Sequence, residues 1–279
     1  KKYKNIMKSF KIIAEIGSTH DGKIDLALKS IRKAAKCGAD IVKFQMHIAN
    51  EESLRNAPNP SYFKKEKRYD YFKRTALSIK NWRKIILECR KQKVEFLCSP
   101  FSIKALEILE QFNVKSYKVA SGELTNLPLL EEINKTNKFV FLSTGMSNYQ
   151  EIDNALKVFS NKKKLCLMQC TSIYPCPDKL VGLNIIDEFK KKYNLNLGFS
   201  DHTRDNLASI CFAVLGANFI EKHFTLSKKL YGSDAKFAME PKEFKKYCSD
   251  IKRVWQMKNS KIEKNNLKPF AEMKKVFEK

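Results

Sequence analysis

The chain has 279 residues, 43% of them hydrophobic, with 54 lysines and arginines against 30 aspartates and glutamates. No apolar run approaches the ~18 residues that a membrane-spanning helix needs, and the basic N-terminus leads into a segment too polar for a signal peptide. These features exclude an integral membrane protein and predict a soluble, cytoplasmic protein of one large or two small domains.

The eight cysteines and the net charge of +24 limit the function further. No two cysteines form a Cys-x-x-Cys pair, and several stand inside apolar runs, so we expect free thiols in a reducing compartment. The positive charge is nearly all lysine and is spread over predicted helices, without a zinc-finger spacing or a ribonucleoprotein motif. A solvated surface is favoured, nucleic-acid binding is the weaker alternative, and no membrane partner is expected.

Short β-branched runs alternate with helical patterns along the chain. The first helical pattern ends at Gly38, a natural terminator, and the last begins with Pro241 in its opening turn. Between the second run and the next helical pattern, residues 49–79 form a polar connection that contains Pro and Asn. The eight runs are 11–18, 40–47, 94–101, 116–121, 138–145, 164–172, 195–202 and 218–225.

Eight strands, each followed by a helix, in about 250 residues are typical of a (β/α)8 barrel, the TIM barrel. We predict this α/β barrel over residues 1–257, with a helical tail over 258–279. A doubly wound open sheet is less favoured, because the segment after the first run lacks the Gly-x-Gly-x-x-Gly spacing of that fold.

Polar side chains end nearly every run, at the end of the barrel where active sites lie. Such groups are costly to bury unless they meet partners or a ligand. The ring therefore predicts a site for a polar, anionic ligand. Its main members are Glu15, Lys43, Gln45, Ser99, Lys118, Ser121, Glu123, Ser143, Ser172, Tyr174, Ser200, His202, Glu221 and His223.

Two lysines of this ring, Lys43 and Lys118, allow three interpretations. Together with serine hydroxyls they could bind a phosphate group. Each could instead pair with a buried glutamate. A lysine at a strand end also suits the Schiff base of a barrel aldolase that acts on pyruvate.

Two of the four histidines, His202 and His223, end neighbouring strands and could meet at one metal ion. The alternative is a pair of hydrogen-bonded structural histidines, and we favour the metal. Asp201 could ligate that metal, orient His202 or cap the following helix. His20 is interpreted as a loop histidine near the substrate and His47 as a bystander.

Seven motifs, taken in order, resemble the sialic acid synthase family from about residue 11 to residue 257. They are IIAEIGSTHDG, ADIVKFQ, KVASGELTNLPLL, FLSTGM, CTSIYPCP, GFSDHT and GANFIEKHFT. The resemblance implies a (β/α)8 barrel that condenses phosphoenolpyruvate with an N-acetylated hexosamine to give a nonulosonic acid and phosphate by C–O cleavage. The acceptor implied is N-acetylmannosamine, its 6-phosphate or a 2,4-diacetamido-trideoxyhexose.

The resemblance also assigns residues to roles. A divalent metal, usually Mn²⁺ with Mg²⁺ or Co²⁺ as alternatives, is expected on His202 and His223, where it polarises the sugar aldehyde. Glu15 and Glu123 are expected near the reacting carbons. Phosphoenolpyruvate is expected at Lys43, Ser99, Lys118, Ser121, Ser143 and Ser200. The sugar pocket is expected to comprise Gln45, Phe101, Ser172, Tyr174 and Asp234.

Three departures from the family pattern stand out. Ser172 replaces an asparagine that many relatives carry, and Ser99 replaces a frequent threonine while keeping the hydroxyl. Family members usually add a C-terminal antifreeze-like domain that covers the partner's barrel in a dimer. The chain ends where that domain is expected to begin, so we expect the barrel domain only here, and a homodimer where the C-terminal domain is present.

Overall fold

The eight apolar runs form eight parallel strands, β1 to β8, in a computed structural model that describes residues 10–59, 66–232 and 234–277. Each predicted run contains one strand, because the runs are short and mostly apolar, as suits parallel strands buried on both faces. The strands are β1 Lys11–Gly17, β2 Ile41–Met46, β3 Glu95–Pro100, β4 Ser116–Val119, β5 Phe139–Ser143, β6 Leu165–Cys170, β7 Asn196–Asp201 and β8 Phe219–His223.

The strands close into a barrel in the order β1 to β8, with β8 pairing back onto β1. Glu15 lies in register with Lys43 on one side and with His223 on the other. This confirms the predicted (β/α)8 barrel. Its helices are α1 Ile24–Cys37, α2 Ala49–Glu52, α3 Arg68–Thr75, α4 Ile79–Lys91, α5 Ile103–Glu110, α6 Leu127–Lys135, α7 Tyr149–Val158, α8 Leu183–Lys192, α9 Leu207–Leu215, α10 Pro241–Asn259 and α11 Ala271–Phe277.

The ends of the helices follow from local sequence signals. Gly38 ends α1 in the left-handed conformation, with φ of 102°, and donates its backbone N–H back to the last turn. The side chains of Ser78 and Ser102 accept from backbone N–H groups at the starts of α4 and α5. Asn148 and Glu151 form a reciprocal capping box at the start of α7.

The inside of the barrel is apolar at the level of the first inward-facing residues. Because side chains alternate along a strand, every second residue points inward. These inward residues pack as a separate core, distinct from the larger core between strands and helices. The inner core consists of Ile13, Ile41, Leu97, Phe141, Cys166 and Phe219, which we call the lower layer, and of Met168, which lies in register with Ser143 above them.

The connection after β2 is more ordered than the sequence indicated. Residues 49–79 were predicted as a polar connection, but α2 and α3 lie within them. The reason is packing: Tyr71 and Phe72 of α3 are buried against Ala49, so a helix with a polar composition is held by a few aromatic contacts. Residues 60–65 lie outside the described part of the chain.

The segment after α10 is exposed where it is described. It contains a 3₁₀ turn at Lys268–Phe270 and the short helix α11, and neither has a buried residue. The helical tail predicted over 258–279 is thus helical over its described later part. Among the described residues, we found no helix with the length and apolar character needed to cross a bilayer.

Candidate active site

A cluster of four charged side chains lies directly above the lower layer. The Nζ atom of Lys43 is 3.0 Å from Oε2 of Glu15 and 3.4 Å from Oε1 of Glu221. The Nζ atom of Lys118 is 3.7 Å from the same Glu221 oxygen. All four side chains are at most 4% exposed. Each of the four residues lies on the inward face of its strand. Because side chains on one face recur at every second residue, the four charged groups meet inside the barrel.

The two glutamates of this cluster have opposite properties. Burial raises the pKa of Glu15 to about 7, although Lys43 lowers it. Burial also raises the pKa of Glu221, but Lys118 and Lys43 outweigh this and bring it to about 2. Glu221 is therefore ionised at neutral pH, whereas Glu15 can gain or lose a proton near neutral pH.

The two lysines also differ. Burial lowers the pKa of Lys43, but its two carboxylate partners, Glu15 and Glu221, outweigh burial and raise it. Burial lowers the pKa of Lys118, and Glu221 offsets this only in part. A buried cation with one distant partner is poorly compensated, so Lys118 is suited to meet an anion that enters the barrel.

Several polar atoms around the cluster lack partners. Within the described ranges, the hydroxyls of Ser99 and Ser143 and Oε2 of Glu221 are buried without a hydrogen bond. Ser200 differs, because its hydroxyl donates to Oε1 of Glu221 at 3.1 Å. Buried polar groups almost always have partners, so unpaired donors around buried lysines point to a missing ligand.

The two predicted metal ligands lie side by side at the top of β7 and β8. The ring centroids of His202 and His223 are 5.4 Å apart, and the ring of Tyr174 lies 4.1 Å from the first and 5.7 Å from the second. Nδ1 of His202 contacts the carbonyl oxygen of Thr171 at 2.8 Å, which leaves Nε2 for another partner. Nδ1 of His223 is buried without a hydrogen bond among the described residues, 3.8 Å from Oδ2 of Asp234.

The protonation of these histidines bears on a metal. Burial lowers the pKa of His223 to about 4, so its ring is neutral and keeps a lone pair at neutral pH. Burial lowers the pKa of His202 as well, but Cys170, the Thr171 carbonyl and Asp201 together outweigh burial and raise it. A metal ion at His202 would compete with a proton for the ring nitrogen. The pair fits two ligands of one ion.

The part of the chain that is described contains no cluster of three or more histidine, cysteine, aspartate or glutamate side chains arranged to hold a metal. An ion at His202 and His223 would therefore complete its coordination with water or substrate oxygens.

Asp201 lies on the other face of β7, away from the histidines. Its carboxylate accepts from the hydroxyls of Thr203 and Ser209 and forms an ion pair with Lys222 at 3.1 Å. Lys222 in turn donates to the carbonyl oxygen of Thr203 at 2.6 Å. Of the three roles considered for Asp201, the metal-ligand role is wrong, because odd and even positions of a strand face opposite sides.

Two of the predicted sugar residues, Gln45 and Asp234, lie next to Glu15. Nε2 of Gln45 donates to Oε1 of Glu15 at 2.6 Å. A Cβ atom at Gly17 would lie 3.2 Å from Oδ2 of Asp234 and 3.3 Å from both Gln45 and Glu15, so Gly17 marks the point where these side chains converge. Gly17 also has a positive φ of 53°, which a glycine adopts most readily.

A second glycine shows where Ser121 and Ser172 lie. A Cβ atom at Gly145 would be 2.8 Å from the hydroxyl oxygen of Ser121, 2.5 Å from that of Ser172 and 2.9 Å from the sulfur of Cys170. The backbone N–H of Gly145 donates to Ser121 at 3.1 Å. The two predicted serines are therefore neighbours, around a position where only glycine fits without a shift.

Glu123 and Phe101 lie further out. Together with Asn126 and Glu52 they line a cleft of about 490 Å³. Asn126 donates to Oε2 of Glu123 at 2.8 Å, and burial raises the pKa of this carboxyl. These two predicted residues thus face the entrance, whereas Glu15 and the lysines lie inside.

Two features of the site were not assigned a role from the sequence. Glu221 was noted only as one polar strand end, although it is the shared partner of both lysines. Its spacing in the sequence could have identified it as a site residue, because it stands two residues before His223 on the same strand face. His47, interpreted as a bystander, contacts Gln45 at 3.0 Å.

The chain is similar in sequence to a known family and to characterised proteins of it. The sequence profile of the NeuB family matches residues 30–263. The N,N'-diacetyllegionaminic acid synthase of Campylobacter jejuni is 38% identical over 267 residues, which are 92% of this chain and 80% of that protein. The human N-acetylneuraminate-9-phosphate synthase is 34% identical, over 87% of this chain and 69% of that protein.

A solved structure extends the comparison to the fold. The crystal structure of N-acetylneuraminic acid synthetase from Leptospira borgpetersenii, in complex with citrate, superposes with a TM-score of 0.83 at 28% sequence identity. The match covers 97% of this chain and 93% of that one. The barrel and the order of its elements are therefore shared.

Proposed function

Because the chain belongs to the NeuB family, we propose that it condenses phosphoenolpyruvate with an N-acetylated amino sugar, forming a nonulosonic acid and phosphate. The observation that carries this proposal is the buried cluster of Lys43 and Lys118, with the unpaired hydroxyls of Ser99 and Ser143 beside it. Relatives that are named as synthases of nonulosonic acids support it.

The charged cluster provides the binding site for phosphoenolpyruvate. Lys118 has one distant carboxylate partner, Glu221. It gains a closer anionic partner when the phosphate or carboxylate group of a ligand enters the barrel. The hydroxyls of Ser99 and Ser143 donate to the same anion. Ser121 and Ser200 complete the set of hydroxyl donors. Glu221 holds both lysines and Ser200 in place before the anion arrives.

The histidine pair is the proposed place for a divalent metal. His202 through Nε2 and His223 would hold the ion, with Mn²⁺ the best match and Mg²⁺ or Co²⁺ as alternatives. When bound, such an ion supplies Lewis acidity to the aldehyde of the open-chain sugar. Tyr174 packs against both rings and keeps them in place.

The bonding changes define the roles of the two glutamates. C3 of phosphoenolpyruvate forms a bond to the aldehyde carbon, whose oxygen gains a proton. Water adds to C2, and the C2–O bond breaks to release inorganic phosphate. Glu15, with a pKa near 7, is suited to orient or deprotonate that water. Glu123 at the entrance is suited to hold the sugar.

For the acceptor we propose a 2,4-diacetamido-trideoxyhexose as the first candidate, with N-acetylmannosamine and its 6-phosphate as alternatives. The support is the 38% identity to a diacetyllegionaminic acid synthase, against 34% for the human neuraminate-9-phosphate enzyme. The proposed sugar contacts are Gln45, Phe101, Ser172, Tyr174 and Asp234.

Two further assignments rest on indirect support. The cysteines are free in the structure, which fits a reducing compartment, and we propose the cytoplasm. A homodimer is proposed where a C-terminal domain accompanies the barrel.

One observation favours a second candidate function. The lowered pKa of Lys118 is also what a Schiff-base aldolase acting on pyruvate needs. Borohydride reduction in the presence of pyruvate separates the two, because a covalent adduct on Lys43 or Lys118 forms only in the aldolase. We expect no adduct.

The test of the proposed function is a phosphate-release assay with phosphoenolpyruvate, Mn²⁺ and each candidate sugar in turn. We expect phosphate in equal amount to nonulosonic acid, with the diacetamido sugar the fastest acceptor. The control is the same reaction after treatment with a chelator, and restoration by added Mn²⁺. Activity that the chelator leaves unchanged would remove the metal from the proposal, and no turnover with any sugar would overturn the function itself.

A further inference from the structure

His47 lies within a buried chain of hydrogen bonds that runs from Glu52 to Glu15. Its Nδ1 atom is 2.9 Å from both carboxylate oxygens of Glu52, and its Nε2 atom is 3.0 Å from Oε1 of Gln45. Gln45 in turn donates from Nε2 to Glu15 at 2.6 Å. The side chains of His47 and Glu52 are only 5% and 2% exposed.

The imidazole is also fixed in its plane. The ring of Phe72 is stacked on one face, with centroids 3.6 Å apart, and the ring of Phe101 on the other, at 4.1 Å. A ring held by two aromatic faces and by contacts at both nitrogens has one orientation, so it can orient what it touches.

The direction of the hydrogen bonds determines which nitrogen of His47 carries a proton. Gln45 turns its amide nitrogen to the carboxylate of Glu15, so its carbonyl oxygen faces His47 and can only accept. Nε2 of His47 must therefore be the donor. At Nδ1 the ring faces the carboxylate of Glu52, whose two oxygens are both 2.9 Å away.

We propose that His47, held by Glu52, is a positioning residue for the condensation: it locks the amide of Gln45, and through that amide the carboxylate of Glu15. The proposal rests on the proposed function, since Glu15 is assigned there to the water that attacks C2. Without the donor at Nε2, the amide of Gln45 is free to rotate and presents its oxygen to Glu15, which turns a hydrogen bond into a repulsion.

A pair of near-isosteric variants separates this role from packing. Glutamine places an amide nitrogen where Nε2 of the imidazole lies, and asparagine places one near Nδ1. We therefore expect H47Q to retain the donor to Gln45 and H47N to lose it. The kcat of H47N should be about tenfold or more below that of H47Q, with similar KM for phosphoenolpyruvate. Equal kcat in both variants would overturn the proposal, because it would leave only the stacking between Phe72 and Phe101.

A second measurement does not depend on activity or on the variants' stability. The chain has four histidines, so long-range ¹H–¹⁵N spectra of the ¹⁵N-histidine-labelled wild type resolve each ring, and the spectrum of H47Q assigns His47. We expect a proton on Nε2 of His47. A bare Nε2 lone pair would contradict the hydrogen-bond chain. If the wild type releases no phosphate with any sugar, the proposed function fails, while this spectrum still decides the hydrogen-bond chain from Glu52 to Glu15.

Discussion

Two adjacent levels inside the barrel are built from the same strands but have opposite chemistry. The lower layer and the charged level above it, which we call the upper level, are two residues apart along each strand, a distance of about 7 Å. The pairs are Ile13 and Glu15, Ile41 and Lys43, Leu97 and Ser99, Phe141 and Ser143, and Phe219 and Glu221. The lower level packs hydrocarbon, and the upper level buries charge and unpaired hydroxyls. The difference indicates that the lower layer stabilises the barrel and the upper level is built for a ligand.

The energetic expectations for the two levels differ accordingly. Removing a packed side chain leaves a cavity and costs stability. Removing one partner of a buried ion pair is costly only when the other charge is left alone. Glu221 keeps Lys43 as a partner when Lys118 is replaced by an apolar group of similar length, so that replacement should cost little stability. Substitutions in the lower layer should therefore reduce stability, and those in the upper level should reduce activity.

The largest effect is expected in the lower layer. Phe141 packs edge-on against Phe219 with ring centroids 4.8 Å apart, so F141A should lower the free energy of unfolding by about 3–5 kcal/mol. Urea denaturation measures this, and kcat of the folded fraction should stay within a few-fold of the wild type. The matched control F141L should cost far less. A loss below about 1 kcal/mol in F141A would contradict the role given to the lower layer.

The next effect is expected from the upper level. K118M should lower kcat/KM for phosphoenolpyruvate by about 100- to 1000-fold, because it removes a preorganised cation from the anion site. Its thermal stability should remain close to that of the wild type. Lys135 is an exposed lysine of α6, and K135M is the control that should change neither property. If K118M kept activity within a few-fold of the wild type, Lys118 would not belong to the anion site.

The pH dependence of stability should distinguish Glu15 from Glu221. The pKa of Glu15 is raised from 4.5 to about 7, so the folded state holds a proton that the unfolded state releases, and stability falls as pH rises through this window. The pKa of Glu221 is lowered to about 2, so its contribution is present above pH 4.5 and is lost as pH falls.

E15Q tests this contrast, since glutamine resembles the protonated carboxyl. Its melting temperature should exceed that of the wild type by several degrees at pH 8, corresponding to about 2–3 kcal/mol, and the two should converge at pH 5. Differential scanning calorimetry at both pH values provides the comparison. The same difference at pH 5 and pH 8 would show that the Glu15 carboxyl does not titrate in this window.

The smallest effect is expected from the unpaired hydroxyls. S143A should raise KM for phosphoenolpyruvate by about tenfold, since it removes one donor to the anion, and it should not lower the melting temperature, because this hydroxyl has no hydrogen bond among the described residues. A loss of stability without a change in KM would show that Ser143 stabilises the barrel and does not bind phosphoenolpyruvate.

The sequence predicts most of the barrel because its strands are short, apolar and regularly spaced. Each of the eight strands lies within a predicted run, and none of its ends is more than two residues from the end of the run. The helix α3 could not be predicted in this way, because its polar composition hides the few buried aromatic residues, Tyr71 and Phe72, that hold it against Ala49 of α2.

The upper level was predictable in part for the same reason. Alternation along a strand tells which residues share a face, so Glu15, Lys43 and Lys118 could be grouped from the sequence. It does not tell which charges meet. That Glu221 joins both lysines depends on the stagger and curvature of the closed barrel. The link from His47 to Gln45 depends on α2, which brings Glu52 behind the imidazole.

The most direct test of the central claim, that the upper level is the binding site for phosphoenolpyruvate, is a calorimetric titration. Phosphoenolpyruvate is titrated in the presence of Mn²⁺ into the wild type, K118M and F141L. We predict one site per chain in the wild type and in F141L, with K118M at least about 100-fold weaker. Equal affinity in K118M, or no binding to the wild type, would contradict the claim.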